Sequence, residues 1–259
     1  MKDFDEWIAE IDNELKPDKS FDIIKRPLKI GGRRAALYFI DGFIKDEVYE
    51  KILEFLYKQT PEEIAGIDDM SRFAENKLPY VETDAAYTAQ EVVTAVLSGP
   101  SVLIIEGIRG ALLVDTRTYP MRGVEEPQKD RSLRGPRDGF VETLVMNTAM
   151  LRRRIRDSRL RMEYMQIGRE TKLDISIAYI DGKADKRVLE ILRQRLTEIQ
   201  AGGISMTQEA LAESLQKNAF FNPFPKFKFT ERPDYASACV LDGRIALIAD
   251  NSPAVMIIP

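Results

Sequence analysis

Short apolar runs bounded by turn residues alternate with segments of helical hydrophobic period along most of this chain. Phe21–Ile24 and Ala35–Ile40 have the character of strands and are separated by Gly31-Gly32, whereas Lys45–Tyr57 places its apolar residues on one helical stripe. Alternation of this kind is typical of a sheet covered by helices. The sequence therefore predicts a mixed α/β protein.

The length of the chain indicates more than one folding unit, because 259 residues can form two small domains. An amphipathic helix is predicted near the start, over Phe4–Leu15. The polar stretch Asn76–Asp84 is the candidate linker. We therefore predict an N-terminal α/β subdomain over residues 1–84 and a second one over 85–259, each a small mixed sheet flanked by helices.

The second subdomain is predicted to begin and end with hairpins that carry glycine in the turn. The segments between them alternate between helix and strand. The predicted order is the hairpin 102–115, a long helix over about 139–165, a strand at 172–180, helices at 185–199 and 207–218, and a hairpin whose strands are 236–241 and 245–250. This order favours one mixed sheet flanked by helices.

The census of rare residues excludes many kinds of chemistry. The chain has no histidine and a single cysteine, Cys239, which alternates within a predicted strand and is interpreted as a core residue. This removes His–Cys metal sites, Ser-His-Asp and Cys-His catalysis and internal disulfides. With 38 basic and 42 acidic residues, the net charge of −4 gives no sign of a nucleic-acid partner. We predict no metal, no cofactor and no enzymatic activity.

The two ends of the chain differ in character. The acidic start lacks the order of a signal peptide, and no apolar run is long enough to span a bilayer, so we expect a soluble domain from a reducing compartment. The last residues, Pro253–Pro259, are almost wholly apolar. Two interpretations stay open: a longer protein has been cut here, or this is a final edge strand.

A glycine-containing loop, Arg134-Gly135-Pro136-Arg137, leads into the predicted long helix. Backbone N–H groups at a helix start lack partners, so Arg134, Gly135 and Arg137 form a candidate anion site. The alternative is that both arginines pair with carboxylates of the chain and that Gly-Pro shapes the loop.

An arginine cluster, Arg152, Arg153, Arg154 and Arg156, lies in the middle of the same predicted helix. Arg152 and Arg154 flank its apolar stripe, and Arg153 points away from it. Planar guanidinium groups beside an apolar stripe suit an interface, so these residues are predicted to contact another subunit, in preference to lipid or nucleic acid.

A charged cluster before the last hairpin comprises Glu231, Arg232 and Asp234. We interpret it as a structural clamp that holds a loop to the sheet edge. Catalysis by the two carboxylates is the alternative, but Arg232 would lower the pKa of its neighbours rather than raise it.

Several blocks of sequence together carry a resemblance to a known family. They occur in order: 122–127, 134–142, Asn147, 151–155, 167–169, 224–225, 230–234, 241–244 and 250–253. In these blocks the chain resembles the GerA family, the A subunits of bacterial spore germinant receptors. It departs from the family at Asp138, where Glu is usual, and at Asn251, where Gly is usual. Because Asn tolerates a left-handed turn, we expect the second departure to have no effect.

The resemblance implies two α/β subdomains similar to solute-binding proteins, ahead of a membrane-embedded helical bundle that would follow residue 259. It implies B and C receptor subunits in the inner spore membrane as partners, self-association of A subunits, and nutrient sensing that leads to germination. The acidic, cysteine-poor sequence favours the cytoplasmic, spore-core side of that membrane.

Two functional hypotheses follow. In the first, the domain is a signalling module that couples nutrient sensing to the membrane-embedded portion. In the second, the cleft between the subdomains binds a small nutrient germinant.

Overall fold

The computed structural model describes residues 3–78, 80, 82–118, 136, 138–168, 172–199, 211 and 227–259. They divide into two compact units. The first takes the described residues of Met1–Asp18, Asp22–Tyr119 and Arg156–Ser158, and the second takes those of Lys19–Phe21, Pro120–Ile155 and Arg159–Pro259. Each unit contains one five-stranded sheet with helices, which confirms the predicted α/β class. Within the described residues, no helix is both long and apolar enough to cross a bilayer.

The first unit is built on a sheet with the strand order β1-β2-β4-β5-β3, in which all neighbours are antiparallel. Its elements are α1 (Phe4–Leu15), β1 (Ile23–Ile30), β2 (Arg33–Ile40), α2 (Asp46–Tyr57), α3 (Pro61–Ile64), α4 (Met70–Lys77), β3 (Thr83–Ala86), α5 (Ala89–Ser98), β4 (Ser101–Ile105) and β5 (Ala111–Val114). The apolar stripes of α2, α3 and α4 pack with one face of the sheet, through residues such as Ile52, Ile64 and Phe73. The helices α1 and α5 lie together, and α5 contacts β2 and β4.

The second unit is built on a sheet with the order β6-β7-β9-β10-β8, again antiparallel throughout. Its elements are α6 (Leu144–Arg154), β6 (Leu160–Ile167), β7 (Leu173–Ile180), α7 (Lys186–Glu198), β8 (Lys228–Thr230), α8 (Pro233–Leu241), β9 (Ile245–Ala249) and β10 (Val255–Ile258). The strand β10 lies between β9 and β8, so the apolar segment near Pro259 is an inner strand and not the edge strand considered above.

The period of two along the inner strands explains the layers of the second unit. In β9, Leu247 packs in the cluster that contains leucines of α7, while Ala246 and Ile248 pack with α6 and α8 on the opposite face. All five residues of β9 are buried. A strand covered on both faces reads as a continuous apolar run, and that is the pattern in the sequence.

The predicted subdomain boundary at residue 84 lies inside the first unit. The strand β4 pairs with β2, from Ala35↔Ile105 to Tyr38↔Val102, and β3 pairs with β5. The hairpin that was assigned to the second subdomain therefore completes the first sheet. The polar stretch around residues 76–84 marks the end of α4 and an edge strand, which explains its composition without a linker.

The predicted long helix over residues 139–165 is wrong. The helix α6 has 11 residues and ends at Arg154, Ile155 is extended, and β6 begins at Leu160. The segment 160–167 contains good helix formers, yet it pairs with β7 along its whole length, from Leu160↔Ile180 to Ile167↔Leu173. Pairing with a buried neighbour has overridden local propensity here.

The predicted strand at 236–241 is also wrong, since this segment belongs to α8. Pro233 occupies the first turn of that helix, and the residue before it, Arg232, is extended, as the proline requires. Short apolar runs do not distinguish a buried helix from a strand. The sheets are antiparallel rather than mixed, because β1–β2, β4–β5, β6–β7 and β9–β10 are each joined by short connections. The predicted helix at 207–218 lies outside the described residues, apart from Leu211.

Candidate functional site: the junction at the start of α6

The first turn of α6 takes its cap from a distant part of the chain. Thr143, at the N-cap position, makes no side-chain capping bond. Instead the backbone N–H of Leu144 donates to Oδ1 of Asp250 at 2.8 Å. A carboxylate at a helix start satisfies an orphan N–H group and interacts favourably with the helix dipole. The helix start therefore already has an anionic partner within the chain.

A buried asparagine organises the loop before α6. Asn147 is 0 % exposed, and its side-chain oxygen accepts from the N–H of Val141 at 2.8 Å. Its side-chain nitrogen donates to the carbonyl of Val141 at 2.5 Å and to that of Ser252 at 3.4 Å. One amide thus satisfies both backbone groups of Val141 and reaches the segment before β10, as a buried polar network must to be stable.

Two further backbone bonds join the same segments. The N–H of Asn251 donates to the carbonyl of Glu142 at 2.7 Å, and the N–H of Phe140 donates to that of Glu231 at 2.8 Å. Asn251 has a φ of 59°, which is the left-handed turn expected for it. We define the α6 junction by the residues that make these bonds: Phe140, Val141, Glu142, Leu144, Asn147, Glu231, Asp250, Asn251 and Ser252.

The candidate anion site cannot be placed, because Arg134, Gly135 and Arg137 lie outside the described residues. The described part of that block ends in Asp138–Glu142 and leads directly into the α6 junction. Phe140 is fully buried in the apolar cluster that contains α6 and α8.

The arginine cluster is divided between the interior and the surface. Arg152, predicted to contact another subunit, is 0 % exposed and donates to Ser20 Oγ at 3.3 Å and to the carbonyl of Leu160 at 3.2 Å. The interface assignment of Arg152 is therefore wrong, because the interior of the unit takes its whole side chain. Arg154 donates to Asp138 and to the carbonyl of Met150.

Arg153 and Arg156 are the exposed members of the cluster. The predicted subunit interface is thus reduced to these two side chains, with the half-buried Arg154 beside them. The helix that carries three of the four arginines has only 11 residues, so it does not form the long bridging element that the sequence suggested.

The third predicted cluster forms an ion pair next to the α6 junction. Arg232 donates Nε to Asp234 Oδ1 at 3.1 Å and Nη2 to Oδ2 at 2.6 Å. This bidentate bond lowers the pKa of the Asp234 carboxyl, as expected from the sequence. Glu231 contributes its backbone carbonyl, which holds Phe140. The role of the three residues as a clamp stays a prediction.

The chemistry of this region is that of a structural connection. Its bonds join backbone groups, one amide and one carboxylate, and the described residues contain no cluster of three or more metal-ligating side chains. Cys239 is buried in α8. Sequence reasoning gave no role to Asn147 or Asp250, although both lie in the blocks of family resemblance. Their signal was a polar residue within an apolar helix and a carboxylate ahead of a turn.

Fold and site together define a two-unit α/β domain in which the recognisable sequence blocks meet at a structural junction. The chain belongs to the GerA family: the model described as Bacillus/Clostridium GerA spore germination protein matches residues 9–259. A search of solved structures finds similarity, with a TM-score of 0.72 and 28% identity, to the N-terminal domain of the A subunit of the Bacillus megaterium spore germinant receptor GerK3. That match covers 99% of this chain and 94% of the other.

Curated relatives extend the comparison to whole proteins. Stage V sporulation protein AF of Bacillus subtilis is 37% identical over 252 residues, which is 95% of this chain and 50% of the relative. Spore germination protein KA of the same organism is 32% identical over 256 residues, 97% of this chain and 46% of the relative. The chain thus spans about half the length of the curated relatives it matches.

Proposed function

We propose that this chain is the N-terminal domain of a spore germinant receptor A subunit and that it couples nutrient sensing to a membrane-embedded portion of a longer protein. The match to the GerK3 A-subunit domain supports the first part, because it covers almost the whole of both chains. The shared length with the curated relatives is consistent with a further half that this chain does not contain.

The observation that carries the coupling role is the position of the α6 junction beside β10. Ser252 and Asn251 belong to the junction, and β10 begins at Val255. Because β10 is an inner strand with neighbours on both sides, a displacement at the junction would be transmitted to the strand and to whatever follows it. In the longer protein we place the membrane-embedded portion after this strand.

The proposed setting is the inner spore membrane, with this domain on the spore-core side and with B and C subunits, or further A subunits, as partners. Arg153 and Arg156 are exposed and available for such a contact. We propose no catalytic role, since the α6 junction has the chemistry of a structural connection. Binding of a nutrient in a cleft between the units stays a prediction of the sequence.

The coupling role can be tested in a spore-forming Bacillus that carries the full-length gene. Asp250→Ala removes the cap of α6, while Asp242→Ala changes an exposed carboxylate at the end of α8 and serves as the matched control. We expect Asp250→Ala spores to lose optical density several-fold more slowly with a nutrient germinant, at equal receptor levels by immunoblot. Germination at the rate of the Asp242→Ala spores, at equal levels, would contradict the coupling role.

A second candidate function is a role in spore formation itself. Its support is the 37% identity to a relative named for stage V of sporulation, against 32% for the germination protein KA. Deletion of the full-length gene separates the two: normal spore yield with slow germination supports the receptor role, whereas a reduced yield of heat-resistant spores supports the second.

A further inference from the structure

A groove of about 1040 Å³ lies within the first unit, between the N-terminal part of α1, the start of α5 and the turn that joins β4 to β5. This volume is at the upper end of the range for small-molecule sites, about 300–1,000 Å³. On the α1 side, Phe4, Trp7 and Glu10 line the groove. They are spaced three residues apart and so share one face of the helix.

The opposite wall is held in one arrangement by several bonds. The hydroxyl of Tyr87 donates to Asp69 Oδ1 at 2.9 Å, and Ser71 Oγ lies 2.9 Å from the same hydroxyl. The guanidinium of Arg109 lies 5.2 Å from the centroid of the Tyr87 ring. A Cβ at Gly110 would lie 2.9 Å from that ring, so glycine makes room for it. The wall is thus positioned before any ligand binds.

Arg34 connects the two sides at the rim. It donates both terminal nitrogens to Asp5, at 2.9 and 3.0 Å, and donates to Glu106 at 2.7 and 3.0 Å. One guanidinium between two carboxylates leaves an excess of negative charge. The bond from Arg34 also lowers the pKa of Glu106, so this carboxylate is ionised at neutral pH.

The lining is acidic and aromatic at once. Three carboxylates, those of Asp3, Glu10 and Glu106, face it against the single guanidinium of Arg109. Its aromatic rings already hold cations of the chain itself, since Arg34 lies 5.0 Å from the centroid of Phe4 and Arg109 is stacked on Tyr87. Aromatic faces beside carboxylates attract organic cations through the ring quadrupole and through charge.

We propose that this groove is a binding site for a small organic cation, that is, an ammonium or guanidinium group on an apolar body. The body lies against Trp7 and Tyr87, and the cationic group meets the carboxylates of Glu10 and Glu106. The proposal concerns the first unit alone and does not depend on the coupling role of the α6 junction.

The chain carries its own probe for this site, because Trp7 is its only tryptophan and lines the groove. We would titrate the 259-residue chain with 2-phenylethylamine, cyclohexylmethylamine and agmatine and excite Trp7 selectively. The controls are 2-phenylethanol and phenylacetate, which keep the apolar body but are neutral or anionic. We expect a saturable change in Trp7 emission with at least one amine, weaker binding of the alcohol, and no binding of the acid.

Charge-removing variants assign the effect to the groove. Glu10→Gln removes a lining carboxylate, whereas Glu6→Gln removes an exposed carboxylate of α1 that does not line it. For an exposed charge pair we expect amine affinity to fall about 2- to 5-fold in Glu10→Gln and to be unchanged in Glu6→Gln. The proposal is overturned if no amine gives a saturable change, if the alcohol binds as well as the amine, if both variants behave alike, or if only a basic peptide binds.

Discussion

The carboxylate of Asp250 caps the backbone N–H of Leu144 across 106 residues of sequence. One partner begins the helix α6, and the other lies in the turn between β9 and β10. Since Asn147 and Asn251 make parallel connections between the same two segments, the start of the helix and the approach to the last strand are held as one piece of structure.

Asp250→Ala should destabilise the second unit. The N–H of Leu144 loses its partner and the helix dipole loses a favourable charge, which together cost about 1 kcal/mol of the free energy of unfolding. Urea denaturation followed by circular dichroism measures this loss, and Asp242→Ala is the control. Equal midpoints for the two variants would show that the cap contributes nothing.

Arg152 and its neighbour Arg153 should respond very differently to charge reversal. Arg152→Glu places an acid where the side chain is fully buried, so we expect a loss of about 3–5 kcal/mol or failure to fold. Arg152→Met keeps the volume but removes the donor to Ser20 and Leu160, at a cost of about 1–3 kcal/mol. Arg153→Glu, on the exposed face, should stay within about 0.5 kcal/mol of the wild type. Similar stability of all three variants would disprove the burial of Arg152.

The ion pair of Arg232 and Asp234 should give a stability that depends on pH. The bond from Arg232 lowers the pKa of the Asp234 carboxyl in the folded chain. A carboxyl with a lowered folded pKa stabilises the fold above its unfolded pKa of about 3.9, and this contribution is lost as the pH falls through the folded value. Asp234→Asn should therefore be less stable than the wild type at pH 7, and the difference should shrink below about pH 4.

Denaturation of both proteins across that range tests this prediction. Arg232→Gln provides the matched background, because Asp234→Asn should add little pH dependence once the guanidinium is absent. A difference of constant size from pH 7 to pH 3 would assign the effect of Asp234→Asn to something other than its charge.

Gly110 should tolerate alanine poorly. Its φ is 91°, and an added Cβ would lie 2.9 Å from Tyr87 and 3.3 Å from the carbonyl of Ala86. We expect Gly110→Ala to cost about 1–3 kcal/mol and to change the emission of Trp7, because Tyr87 must move. At Gly66, where an added Cβ meets nothing within 4 Å, alanine should be neutral or slightly stabilising. A Gly110→Ala protein with the stability of Gly66→Ala would contradict the packing of Tyr87.

Elements with one strong local signal could be predicted from the sequence. The helix α1 has its apolar residues on one stripe, α3 begins with a capping box and Pro61, and β7 is a long apolar run next to a turn. For each of these, propensity, pattern and capping agree. The segment 160–167 failed because its residues favour a helix in isolation, and only pairing with β7 makes it a strand.

The predicted functional residues divide in the same way. The bidentate bond between Arg232 and Asp234 is local, two residues apart, and its effect on the pKa of Asp234 was foreseen. The burial of Arg152 was not, because it depends on Ser20 and on Leu160, which reach it only in the folded unit. The groove combines Trp7, Tyr87 and Glu106 from three separate segments, and no local pattern connects them.

By itself, the sequence determined the α/β class, most of the individual elements and membership of the GerA family, because these depend on residue periodicity and on the order of motifs along the chain. The tertiary structure decided which strands share a sheet, where one unit ends and the next begins, and which charged side chains are buried. These outcomes depend on contacts between residues far apart in the chain, where burial and backbone hydrogen bonding outweigh the preference of any short segment.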